Sequence, residues 1–161
     1  MITYRKATEL DLERIWNRNI LDNPGDDRWQ RWKEQFIRDN QSGAAVTFVV
    51  AEEDMPVGEV TLILSPECKA VKGRPMLADG VGIANINALR IKKAFEGLGH
   101  ASALVKVLED YAKEIGITRL TIGVEAREAR NVAIYLHWGY TELVHYETDD
   151  GELVLYYAKE I

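Results

Sequence analysis

The sequence predicts a mixed α/β fold, a central and mostly antiparallel sheet flanked by helices, in a single domain over residues 1–161. Three observations carry that prediction. Segments with a two-residue apolar period and segments with a three-to-four-residue period follow each other in the order β, α, α, β, β, β, α, β, α, β, β. A strand–helix–strand run from Val81 to Val124 calls for one parallel pair with a right-handed crossover. Turn sequences between the other neighbouring strand-like runs make the rest of the sheet antiparallel.

In chain order, Ile2 to Arg5 alternates as a short strand, and Thr8-Glu9-Leu10-Asp11 has the form of a capping box that opens a helix to about Asn19. Asp22-Asn23-Pro24-Gly25-Asp26 breaks it. Asp26 or Asp27 then caps a second helix, which runs to about Asn40 and carries Trp29, Trp32, Phe36 and Ile37 on one face; Gly43 is its stop. Ala45 to Ala51 is rich in β-branched and aromatic residues, Glu53-Asp54-Met55-Pro56 turns, and Val57 to Leu64 returns as the second strand of a hairpin. Pro66 to Gly80 has two prolines, two glycines and no period, so it reads as a loop, long enough to serve as a lid or an interface element. Val81 to Ile91 reads as a buried strand interrupted by Asn85 and Asn87. From Ser102 to Ile115 the apolar residues Ala103, Leu104, Val107, Leu108, Tyr111 and Ile115 share a helical face, with Lys106, Glu109, Asp110, Lys113 and Glu114 opposite. Gly116 ends that helix. Thr118 to Val124 is a strand, Glu128 to His137 a short helix, and Tyr140 to Tyr146 with Leu153 to Lys159 a hairpin around Asp149-Asp150-Gly151.

Composition narrows the function. With 47% hydrophobic and 29% charged residues the chain has the make-up of an ordinary globular domain, and no apolar run approaches a membrane span. A net charge of −6 opposes the phosphate attraction behind non-specific nucleic-acid binding and suits a cationic partner better. The N-terminal stretch lacks a secretory signal and Cys68 is the only cysteine, so the expectation is a cytoplasmic protein without disulfides. His100, His137 and His145 lack metal-ligand spacing, and no metal is expected. Cys68, with no histidine placed to activate it, reads as a bystander thiol.

Phe95-Glu96-Gly97-Leu98-Gly99-His100-Ala101-Ser102 places two glycines just before a helix. A helix start offers amide N–H groups with no internal partner and a partial positive charge, and glycines let a ligand approach the backbone closely, so the stretch is suited to a pyrophosphate. It is neither a Walker loop, lacking Gly-Lys-Ser or Gly-Lys-Thr, nor the Rossmann fingerprint, lacking the third glycine.

Taken with Leu89-Arg90-Ile91 before it and Ile134-Tyr135 with Gly139-Tyr140 after it, this stretch resembles the GCN5-related N-acetyltransferase (GNAT) superfamily over about residues 81 to 146. The resemblance implies the acyl-CoA N-acyltransferase fold, acetyl-CoA as co-substrate, and transfer of its acetyl group to a primary amine. In that family a strand ending in an apolar-x-apolar step leads into Gln/Arg-x-x-Gly-x-Gly/Ala, whose amides hold the pyrophosphate. Glu96 stands at the Gln/Arg position, Gly99 at the first glycine and Ala101 at the Gly/Ala position, with Gly97 as an extra glycine. The cofactor-binding set it implies is Leu89, Arg90, Ile91, Glu96, Gly97, Leu98, Gly99, His100, Ala101, Ser102, Asn131 and Tyr135. The amide of Ile91 is the implied donor to the thioester carbonyl. Glu96 reverses the family's charge, with Arg90, Lys92, Lys93 and His100 near enough in sequence to offset it. Glu128 stands where the family has a cofactor-facing Asn, and Asn131, one turn on, is the substitute.

Tyr135 falls at the family's thiol-side tyrosine, implied to protonate the departing thiolate, and a phenol, neutral at cellular pH, suits that task. An alkylammonium must lose a proton before it attacks, so a base is needed; Glu125, at the end of the 118–124 strand, is the first candidate and Glu59 the second. Trp16, Trp29 and Trp32 lie on the two helices that wall the acceptor site in the family. The acceptor expected is a small-molecule amine. A protein or peptide acceptor, a catalytically silent CoA-binding module and a homodimer stay open; nucleic-acid and membrane partners are not expected.

Overall fold

The computed structural model describes residues 1–161, and its elements keep the predicted order: β1 (Ile2–Lys6), α1 (Glu9–Asp22), α2 (Arg28–Ser42), β2 (Ala45–Glu52), β3 (Met55–Ile63), β4 (Ile83–Ile91), α3 (His100–Glu114), β5 (Arg119–Glu125), α4 (Ala129–His137), β6 (Glu142–Asp149) and β7 (Glu152–Glu160). The seven strands hydrogen-bond in the order β1-β2-β3-β4-β5-β7-β6. β4 and β5 are the parallel pair, in register from Ile83 opposite Arg119 to Ile86 opposite Ile122. β1 with β2, β5 with β7 and β6 with β7 are antiparallel. By its internal contacts the chain forms two compact units, Met1–Leu62 with Ala88–Tyr111 and Ile63–Asn87 with Ala112–Ile161.

In the first unit, the Thr8 hydroxyl accepts from the Asp11 amide at 3.2 Å and the Asp11 carboxylate accepts from the Thr8 amide at 2.8 Å, the reciprocal box that starts α1. Asp11 also pairs with Arg5, which draws the buried carboxylate's pKa below its ordinary value although burial pushes it the other way. α2 begins one residue after Asp27, but Asp26 supplies the cap, accepting from the Arg28 amide at 3.1 Å. The turn between β2 and β3 is shorter than the four residues read from the sequence. Glu53 and Asp54 have φ of 49° and 66°, the two-residue turn that follows the strand twist, so Met55 and Pro56 already belong to β3.

Adjacent residues of β2 separate the two layers that cover this unit. Thr47 meets Asn40 of α2, donating its amide to the Asn40 carboxamide oxygen at 2.9 Å, whereas the Phe48 ring packs edge-on against Tyr111 of α3, centroids 5.3 Å apart. Because successive strand side chains point to opposite faces, α2 and α3 cover opposite faces of the sheet. Val49, Val50, Val60, Leu62, Leu104 and Leu108 fill the space between, fully buried. α3 departs from its expected pattern at two points: Glu109 is buried and Ile115 is 43% exposed. Gly58 is held close on β3. A Cβ there would stand 2.6 Å from Ile91 Cδ1, 2.7 Å from Val50 Cγ1 and 3.1 Å from the Arg90 carbonyl. Gly58→Ala is therefore expected to cost about 1–3 kcal/mol in urea unfolding, since the side chains can yield but the backbone carbonyl cannot move without its strand.

In the second unit, Leu120, Ile122 and Val124 of β5 are buried, and Asp150 and Gly151, φ 51° and 81°, close the β6–β7 hairpin as the Asp-Gly pair predicts. Val81 lies outside β4 and is exposed. The 64–82 connection has no regular structure yet is firmly anchored. Cys68, Val71, Leu77 and Ala78 are buried, and Arg74 donates to Glu147 at 3.0 Å, to the Tyr156 hydroxyl at 2.9 Å and to the Ala70 carbonyl at 2.6 Å. The Asp79 carboxylate accepts the amides of Val81, Gly82 and Ile83, each at 2.9 Å, which holds its pKa below the ordinary value.

Candidate functional site

The glycine loop lies in the first unit. After β4, a short turn at Lys93–Phe95 leads to Glu96 in extended conformation, then Gly97 and Gly99 at φ 75° and 84°, which a side-chain-bearing residue rarely adopts. A Cβ at either glycine would meet nothing within 4 Å, so backbone conformation, and not crowding, requires glycine at both. α3 starts at His100, two residues earlier than its apolar period indicates, because the Gly99 carbonyl already accepts from the Ala103 amide at 3.1 Å. The amides of His100, Ala101 and Ser102 therefore precede Ala103, the first amide to donate within the helix, and have no acceptor inside it, which is the arrangement that receives an anion.

Around those amides the side chains divide. The His100 imidazole turns inward, 8% exposed, with Nδ1 2.8 Å from the Tyr4 hydroxyl and its ring tilted against Phe95, centroids 6.4 Å apart. The residue brings its backbone amide to the loop while its side chain is engaged with Tyr4. Leu98 and Glu96 are exposed, as are Lys92 and Lys93. Leu89 and Ile91 are half-buried on β4. Arg90, between them, is committed elsewhere.

Arg90 donates from Nη1 to Glu59 Oε1 at 3.2 Å, while Asn19 of α1 donates to Glu59 Oε2 at 3.2 Å. The Arg90 guanidinium lies 5.3 Å from the centre of the Trp16 ring and 5.0 Å from that of Trp29. Glu59 is almost fully buried; burial pushes its pKa above the ordinary carboxylate value, against the pull of Arg90 and Asn19. These groups line a cavity of about 660 Å³ within the first unit, bounded by α1, the start of α2 with Trp29, the start of β3, and the end of β4 through Glu96. Contacts of Glu59 and Arg90 with α1 and α2 put the cavity on the face opposite α3. Trp16 is core, packed on Phe36 at 5.0 Å, and Trp32 is surface; of the three tryptophans only Trp29 borders the cavity.

The remaining sequence candidates lie in the second unit. Tyr135, on α4, is half-buried, its ring tilted against Trp138 with centroids 5.6 Å apart; its hydroxyl makes no hydrogen bond within the protein. Burial, and less strongly the Glu128 carboxylate, push its pKa up, so the phenol keeps its proton. Glu128 precedes α4 without capping it and accepts from the Asn131 side chain at 3.3 Å. Glu125 ends β5, where Arg127 donates to it at 2.8 Å.

A family model described as the acetyltransferase (GNAT) family matches residues 10–140. The chain belongs to the GNAT family. Solved GNAT-like structures share its fold at low identity. Paia N-acetyltransferase from Thermoplasma acidophilum, in complex with coenzyme A, superposes with a TM-score of 0.67 at 17% identity, covering 100% of this chain and 99% of that one. Arabidopsis thaliana NAA60, in complex with acetyl-CoA, does so with a TM-score of 0.72 at 18% identity, over 100% and 99%. Ribosomal-protein-alanine N-acetyltransferase from Brucella melitensis gives 0.72 at 17% identity, over 99% of each chain. No curated protein matches the sequence. Within this GNAT chain, the Asn19–Glu59–Arg90 group escapes sequence reading as a unit, because its members are 40 and 31 residues apart and no local spacing links them.

Proposed function

We propose that the protein is an acetyl-CoA-dependent N-acetyltransferase acting on a small-molecule primary amine. The observation that carries this reading is the pairing, in one GNAT chain, of a helix-start loop with three free amides and an acceptor-sized cavity with a buried carboxylate. A cavity of about 660 Å³ suits a small ligand. The amides of His100, Ala101 and Ser102 hold the pyrophosphate, and Gly97 and Gly99 give it access to them. Lys92 and Lys93 offset Glu96, because Arg90 and His100 are engaged with Glu59 and Tyr4. The Ile91 amide is the donor to the thioester carbonyl, and Asn131 stands in for the family's cofactor-facing Asn.

Acetyl-CoA supplies an activated acetyl group; the chain's own residues manage the protons. Glu59 takes the proton from the acceptor ammonium, leaving the nitrogen lone pair free to attack. We assign the base to Glu59 ahead of Glu125, since its carboxyl is buried at a cavity wall with a raised pKa, whereas Glu125 is held by Arg127 at the surface. Tyr135 gives its hydroxyl proton to the departing thiolate.

The test is release of free CoA thiol from acetyl-CoA across a panel of amines, amino acids and peptides. Turnover of small amines above the peptides supports the reading, and no release from any acceptor refutes it. Glu96 offers a second check. Its exposed carboxylate repels an anion at the loop, so Glu96→Arg is expected to tighten acetyl-CoA by about two- to fivefold in calorimetric titration, with the gain shrinking in high salt. Unchanged affinity would mean that the acid faces away from the phosphates.

A further inference from the structure

The cavity beside Glu59 has a charge balance at odds with the rest of the chain. The protein carries a net charge of −6, yet five cations and three carboxylates line this cavity. Two pairs are satisfied internally: Arg90 with Glu59 at 3.2 Å, and Arg18 with Asp22 at 3.2 Å. Arg14, Lys92 and Lys93 remain, each exposed and without an ion-pair partner, against Glu96 alone. Trp29, Pro56 and Ile91 add an apolar surface to the same lining.

We infer that the acceptor is an amine that also carries a carboxylate, bound with its amine toward Glu59, its apolar body against Trp29 and its carboxylate on the rim formed by Arg14, Lys92 and Lys93. The inference rests on the acetyl-transfer reading for the identity of the ligand as acceptor. Three exposed cations without ion-pair partners lining one cavity of an acidic protein favour an anionic group there, and partial enclosure strengthens each contact relative to open water. The same cations suit either a carboxylate of the acceptor or a phosphate of the cofactor. Arg14 separates these sources, since it belongs to α1 while Lys92 and Lys93 lead into the glycine loop.

The experiment is calorimetric titration of the full chain, without acetyl-CoA, with 4-(aminomethyl)benzoate, 4-(aminomethyl)benzamide and benzylamine, and with 6-aminohexanoate beside hexylamine. The carboxylate member of each set is expected to bind at least about tenfold more tightly than its uncharged counterpart. Raising the salt, or the Arg14→Ala and Lys93→Ala changes, should reduce that preference to about twofold or less. Acetyl-CoA affinity should stay within about twofold in Arg14→Ala. Equal binding across each set overturns the inference, as does no binding of any member at about 10 mM. It is also overturned if the two variants weaken acetyl-CoA and leave the acceptor preference intact, because the cations then serve the cofactor's phosphates. Carboxylate-dependent binding without thiol release in the presence of acetyl-CoA would refute acetyl transfer and leave the anionic subsite standing. Thiol release at equal kcat/KM from amino acids and plain amines would do the reverse.

Discussion

Tyr135→Phe should lower kcat by about 10²- to 10⁴-fold, the usual contribution of a positioned acid, while acetyl-CoA binds as before. The substitution removes one oxygen from a side chain that is packed on Trp138 through its ring and makes no hydrogen bond within the protein through its hydroxyl. Nothing in the fold depends on that hydroxyl, so a change in rate reports on chemistry alone. The pH profile adds a second readout. Burial raises the phenol pKa, so the group remains an acid further into the alkaline range than a free tyrosine does, and the wild-type rate should fall only beyond that point. The phenylalanine variant should lose this alkaline limb. Turnover equal to wild type would mean that the thiolate leaves without help from Tyr135.

Glu59→Gln is the second large effect, expected to lower kcat/KM by about 10²-fold or more, against a small effect for Glu125→Gln. The wild-type rate should rise with pH as the Glu59 carboxyl loses its proton, with a midpoint above the ordinary value of 4.5 because burial disfavours the charged form. In the glutamine variant that acidic limb should vanish. If it vanishes in Glu125→Gln instead, Glu125 is the base. Stability moves in the opposite sense to rate. The folded chain holds the Glu59 proton to a higher pH than the unfolded chain does, so the group's favourable contribution is full below 4.5 and is lost as pH rises through the folded value. Urea unfolding at low and neutral pH should show this loss in wild type and not in Glu59→Gln, where the amide still fits beside Asn19. Arg90, with its side chain 35% exposed, is left solvated by that change and not stranded in the core.

What the sequence discloses is what local chemistry decides. Thr8 and Asp11 are three residues apart and announce α1; Asp150 and Gly151 are adjacent and announce the last hairpin; Gly97 and Gly99 announce a loop with left-handed backbone ahead of α3. Each signal is complete within a few residues, so reading it needs no knowledge of the fold. Period alone misleads at the ends and edges of elements. Ile115 continues the apolar stripe of α3 in sequence but follows the last helical residue and is exposed, while Glu109, on the polar stripe in sequence, is buried. The cavity was the least legible part. Glu59 was readable as a candidate base, but its burial, its Asn19 and Arg90 partners and the stacking of Arg90 on two tryptophans arise from four segments that meet only after folding.

The hydrogen bond between Tyr4 and His100 joins residues 96 positions apart. Closing so long a loop costs entropy that local helix formation does not, so α3 can form its turns well before this bond is made. Tyr4 leaves the ribosome 96 residues ahead of His100. The glycine loop is thus a late product of folding, fastened from the first strand, and the three amides proposed to hold the phosphates acquire their final aim only when that edge of the sheet is in place.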